Sequence, residues 1–228
     1  MKVADKVILL LNGGDGVAAA LAGGLQPDPS SNFQTLNDSF ELPLDWYGIK
    51  DRKASGEVIH FINSSGHYEV SILLLQKYEP PILACALNEI LLKLAGENLS
   101  TMPTLIVPFI GKSENVPVYG IKFGPTTDVT KALSSRIQKS PPFLQIYHEE
   151  LDVFLHLMKV MQPPTVVLIG LSDRHILNKN SKEEHEVICQ IGEHLATVSS
   201  LSFSKEKMVQ NPAKTSRDNE EAWRALYG

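Results

Sequence analysis

The sequence predicts an α/β fold: a largely parallel or mixed sheet with helices on both faces, built as a single domain with a flexible C-terminal tail. Three observations carry that expectation. Apolar runs such as "KVILLL" (Lys6–Leu11), "TLIVPFIG" (Thr104–Gly111) and the core of "PPTVVLIGLSD" (Pro163–Asp173) are unbroken, as strands buried on both faces are. After Val70 such runs alternate with helical patterns, the order that builds a parallel sheet. From about Ser204 the chain turns polar ("SKEKMVQNPAKTSRDNEE") and loses periodicity. The expected division is an α/β domain over residues 1–203 and a polar tail over 204–228.

In order along the chain, the first strand ends abruptly at "NGGDG". Residues 23–56, rich in Gly, Pro, Ser, Asn and Asp, read as long surface connections with one short strand near Phe40–Leu44. "EVIHFI" (Glu57–Ile62) and "EVSILLLQ" (Glu69–Gln76), split by "NSSGHY", read as a hairpin. "PPILACALNEILLKLAGE" opens on two prolines suited to a helix start and stops near Gly96, with Leu83, Leu87, Ile90, Leu91 and Leu94 on one face. A short strand in "VYGIKF" and a short helix in "TTDVTKALSSRIQ" come next. A long helix over about Leu144–Gln162 follows, with Tyr147, Leu151, Phe154, Met158 and Met161 on one face. "SKEEHEVICQIGEHLATV" reads as a helix with Ser181 and Glu184 as a capping box.

The 228 residues are 43% hydrophobic and 21% charged, close to an ordinary globular protein and enough for a full core. A formal charge of −5, with no dense run of Lys and Arg, speaks against nucleic-acid binding. Cys85 and Cys189 lie in apolar helical patterns outside any CxxC pair and read as buried, reduced thiols. The N-terminal apolar run is too short for a signal-peptide core, and no stretch reaches membrane-spanning length. The expected setting is the cytoplasm or nucleus, without membrane contact.

No complete catalytic set emerges, so the chain reads as a non-enzyme with no cofactor and no metal. Seven histidines form neither HExxH nor an i, i+4 pair. No GxSxG elbow is present, and Ser172 in "GLSD" has no sequence-local base. "HEEL" at His148–Leu151 reads as the acidic first turn of a helix. The strongest enzymatic signal is Gly13, Gly14, Asp15 and Gly16 between a strand and an Ala-rich helix, a setting where backbone N–H groups can cradle phosphate. "GGDG" resembles the signature of NAD kinases and diacylglycerol-type lipid kinases, but Val17 stands where those families have Thr. A phosphate- or nucleotide-binding enzyme is therefore the alternative reading.

The tail carries the other signal. The chain ends "ALYG", so Leu226, Tyr227 and Gly228 form a hydrophobic–tyrosine–any (HbYX) motif, as carried by proteins that dock on the proteasome core particle. An apolar side chain, a phenol and a terminal carboxylate suit a single pocket with a lysine. Chance would place such a triplet in about one chain in a hundred, so the motif alone decides nothing. The competing reading is a helix end that packs Trp223, Leu226 and Tyr227 on the body.

The body adds to the motif. "VSILLLQKYEPPILACALNEILLKLAGENLSTMPTLIVPFIGKSE" (Val70–Glu114), followed by "PPFLQIYHEELDVFLHLMKVMQPPTVVLIGLSD", resembles the strand–helix–strand and later helix–strand of the paired proteasome assembly chaperones. The pattern spans roughly residues 57–195; "NGGDG" has no counterpart in it. The resemblance implies a non-catalytic α/β chaperone acting as a heterodimer with a second chaperone on the ring of α-type proteasome subunits. It also implies that Leu226 fills an apolar slot, Tyr227 wedges in the pocket mouth and the Gly228 carboxylate pairs with lysine.

Overall fold

The computed structural model describes residues 1–96, 102–112, 118–140, 148–172 and 182–210. Strand β1 (Lys6–Leu11) leads through Gly16 into helix α1 (Val17–Gly24) and the short strand β2 (Leu25–Pro27). Then come β3 (Gln34–Leu44), a 3-10 turn at Asp45–Tyr47, β4 (Ile49–Ile62) and β5 (Tyr68–Leu75). Helix α2 (Pro80–Ala95) starts with proline at its first positions, where the missing N–H costs nothing. Next are β6 (Thr104–Lys112), β7 (Tyr119–Phe123), α3 (Asp128–Ser134) and β8 (Gln138–Lys139). The described chain ends with α4 (Glu149–Met161), β9 (Thr165–Ser172), α5 (Lys182–Ser199), β10 (Leu201–Phe203) and α6 (Lys205–Gln210).

Eight strands form one mixed sheet in the order β3-β4-β5-β1-β6-β9-β7-β8, and β10 pairs with β2 in a separate ribbon. The centre, β5-β1-β6-β9, is parallel, while β3, β4 and β7 pair antiparallel. Two apolar layers flank it. One packs α2 and α4 (Leu87, Ile90, Phe154, Met158) on Val7, Leu9, Leu73 and Val107. The other packs α1, α3, α5 and α6 (Leu21, Leu133, Ile191, Met208) on Ile8, Leu10, Ile72 and Leu168. The period of two along each strand divides its side chains between these layers. The α/β sandwich expected from the apolar runs is the one observed, and the hairpin of β4 with β5 is formed.

Two stretches differ from the sequence reading. Residues 23–56 are mostly extended: β3 runs for 11 residues and β4 for 14, pairing from Gln34↔Ile62 to Pro43↔Lys53. Residues Gln34–Ser39 are exposed throughout, so backbone pairing rather than burial shapes them, and Pro43 is tolerated because β3 is an edge strand. Residues 205–210 form α6, whose Met208 is 5% exposed against the second layer. Here the polar composition belongs to the outer side of a short docked helix. Cys85 is half-buried and Cys189 buried, both as free thiols. Tyr147 and Ser181 lie outside the described residues.

Candidate functional site

The chain runs from β1 to β5 on one side of it and then, through α2, to β6 on the other side, so the direction of strand order reverses between β1 and β6. Open α/β sheets bind ligands in the crevice this makes at the carboxyl ends of the strands. Leu10, Leu11, Gly13, Asp15, Pro108, Phe109, His148 and Glu150 line such a crevice here. "NGGDG" thus sits where the sequence argument needs a ligand loop. Gly14 and Gly16 both have φ of +83°, which glycine adopts without strain.

Two of the loop's donors, however, are already in use. Asn12 Oδ1 accepts the Gly14 N–H at 3.1 Å, and Asp15 Oδ1 accepts the Val17 N–H at 3.0 Å, where a bound anion would sit. The Glu150 carboxylate lies 3.5 Å from the position a Gly13 Cβ would take. Two carboxylates therefore flank the helix N-terminus, and the Lys77 Nζ arches over Gly14. The cavity holds about 30 Å³, an order of magnitude below the ~300–1,000 Å³ of sites that take a nucleotide-sized ligand. Size and charge both disfavour the phosphate reading.

His148 caps α4: its Nδ1 accepts the Leu151 N–H at 3.3 Å, and Glu150 Oε2 lies 3.4 Å from the same nitrogen. The imidazole stacks edge-on against Phe109 with centroids 5.4 Å apart. Glu149, Glu150 and Asp152 form the acidic first turn that the sequence predicts. Among the described residues, no group of three His, Cys, Asp or Glu side chains is placed to hold a metal ion.

A second cluster has no signal in the local sequence. His60 and Ser71 face each other across the β4–β5 hairpin, with Nδ1 and Oγ 2.9 Å apart. Ser71 Oγ also accepts the Ala4 N–H at 2.9 Å, which leaves its O–H free to donate to the unprotonated imidazole. Ser71 is fully buried, so this serine–histidine pair cannot meet a substrate; it ties the N-terminal segment to the sheet. Burial pushes the His60 pKa down, Asp38 opposing and Lys2 assisting. His194 is likewise lowered by burial. A folded-state pKa below the unfolded value of ~6.5 gives stability that is complete above that pH and lost as pH falls through the folded pKa. Thermal unfolding should therefore shift to lower temperature between pH 7.5 and 5, and His60→Gln should flatten that acid limb. An unchanged slope in the variant would remove His60 from the account.

Among the described residues, the largest exposed apolar side chain is Trp46, 92% accessible in the 3-10 turn between β3 and β4. It is held rigidly. Leu44 before it is buried, Gly48 closes the turn with φ of +76°, and the Tyr47 hydroxyl accepts from Asn88 Nδ2 of α2 at 2.7 Å. Leu226, Tyr227 and Gly228 lie outside the described residues.

The architecture has parallels among solved structures. PbaB of Pyrococcus furiosus, an archaeal proteasome activator, superposes with a TM-score of 0.53 at 12% identity, covering 100% of this chain and 96% of its own. PbaA of the same organism, an archaeal homologue of proteasome-assembly chaperone, gives 0.52 at 13% identity over 99% and 93%. A PAC2 family protein from Streptomyces avermitilis gives 0.50 at 10% identity over 96% and 93%. Identities this low establish a shared fold, and at that level the likeness to assembly chaperones read from the sequence is present. No curated protein matches the sequence. A family model described as "Domain of unknown function (DUF7894)" matches residues 1–228.

Proposed function

Because the chain belongs, over residues 1–228, to the family described as "Domain of unknown function (DUF7894)", and shares its fold end to end with PbaA and PbaB, we propose that it is a non-catalytic chaperone for assembly of the proteasome core particle. The observation that carries this reading is the near-complete overlap of fold with those two proteins, with neither chain left with a large unmatched region. The closed "NGGDG" crevice supports it by weakening the kinase-like alternative. In this reading the chain works as a heterodimer with a second chaperone and docks on the ring of α-type subunits. Leu226 and Tyr227 enter a pocket between subunits, and the Gly228 carboxylate pairs with lysine there. Trp46 is suited to anchor the second chaperone, since rigid, desolvated aromatics dominate protein interfaces.

The test is affinity for isolated α-ring intermediates, with the chain co-expressed with a candidate partner. Loss of a central aromatic anchor costs about 2 kcal/mol or more, so removing residues 226–228 should weaken binding roughly thirtyfold. Trp46→Ser should release the partner chaperone while leaving the unfolding temperature unchanged. Tail removal without effect would retire the docking role of Leu226, Tyr227 and Gly228. Absence of binding by every form, partner included, would sink the chaperone reading itself.

A further inference from the structure

We propose that the cleft between β7 and α3 binds a small amphiphilic carboxylate. This site is remote from the switch-point crevice. Lys122 of β7 pairs in register with Val166, near the amino end of β9, whereas the crevice lies at the carboxyl ends of β1 and β6. Its volume is about 450 Å³, within the range of small-molecule sites and far above that of the crevice.

The lining divides by chemistry. Leu133, Ile137 and Val166 supply an apolar floor, each nearly inaccessible to solvent. Gly120 keeps the space above it open, since a Cβ there would meet nothing closer than Ile137 Cγ2 at 3.5 Å. Among the described residues, the ionisable side chains of the lining are Lys122 and Lys139. Among the described residues neither has a carboxylate within ion-pair distance; the Lys122 amine donates to the Thr126 hydroxyl. The Ser134 hydroxyl donates to the Thr130 carbonyl 2.7 Å away and is committed there. Among the described residues, recognition of a charged head is thus left to two amines over a hydrocarbon floor. That pairing selects a negatively charged head joined to an aliphatic or aromatic body, in which the body supplies burial and the head supplies orientation.

Octanoate is the probe, titrated into the full chain by calorimetry, with 1-octylamine as the control of opposite charge. At the efficiency typical of small ligands, octanoate, with its roughly ten heavy atoms, should bind with a Kd of about 0.2–6 mM. Raising NaCl from 0.05 to 0.5 M should weaken binding several-fold, because the amines are solvent-exposed. Lys122→Gln with Lys139→Gln should weaken it about tenfold, and Gly120→Leu, which fills the cleft, should abolish it. Circular dichroism checks that each variant folds; should Gly120→Leu not fold, the lysine pair and the salt series decide. Equal affinity for octylamine, binding that survives the filled cleft, or no saturable binding of octanoate would each overturn the proposal.

Discussion

Phe154→Ala is expected to lower the unfolding free energy by about 3–5 kcal/mol, the usual cost of removing a fully buried aromatic ring. Phe154 is 0% exposed in the middle of α4, and its ring lies 5.8 Å from that of Phe109 on β6. Phe109 in turn stacks against His148 at the start of the same helix. One deletion therefore opens a cavity beneath α4 and removes one end of a three-ring chain, loosening Phe109 at its centre. Against a total stability of about 5–15 kcal/mol for a domain, the loss is a large fraction of the whole. Urea unfolding would read it as a lower midpoint at unchanged slope. Phe154→Leu, which keeps most of the volume, should cost less than half as much. A cost below about 1 kcal/mol for alanine would mean that α4 is not packed as described.

The second large effect comes from a residue with no side chain. A Cβ on Gly192 of α5 would lie 2.3 Å from Phe203, and one on Gly24 of α1 would lie 2.4 Å from it. The Phe203 ring fills the space that both helices leave open, so the ribbon of β10 with β2 can lie against them. In an isolated helix Gly→Ala gains about 1 kcal/mol. Here overpacking should cost more than that, and Gly192→Ala should destabilise by about 1–3 kcal/mol. The sign is the test. In a Phe203→Ala background the clash is gone, and Gly192→Ala should become neutral or stabilising. A double-mutant cycle would report a coupling of about 2–3 kcal/mol between the two sites. If Gly192→Ala is harmless beside an intact Phe203, the ring is not seated over α5.

What was legible in the sequence follows from burial. The runs forming β1, β6 and β9 are covered on both faces, so their hydrophobicity is continuous; α2 and α4 show one apolar face each. The arm of β3 and β4 was hidden because residues such as Gln34–Ser39 are solvated and owe their conformation to ladder hydrogen bonds, which composition does not encode. Helix α6 was hidden because one buried residue, Met208, is too few to show a period. At the candidate site, the "NGGDG" turn was visible from glycine spacing alone. Its closure by Glu150, more than a hundred residues away, was not, nor was the contact of His60 with Ser71. The exposure of Trp46 is a tertiary fact that no local pattern signals.

The ribbon of β2 with β10 also sets an order of events during synthesis. Ser202 Oγ donates to the Pro27 carbonyl across 175 residues of chain, and Lys207 reaches Gln26 across 181. At about 5–20 residues per second, the ribosome makes the first partner roughly 10–35 s before the second. During that interval α1 lacks the strand and the aromatic ring that lie against it, and its apolar face waits without cover. A nascent chain halted before Phe203 should thus expose surface that the finished protein hides, and holdase chaperones would meet this protein chiefly at its amino-terminal helix.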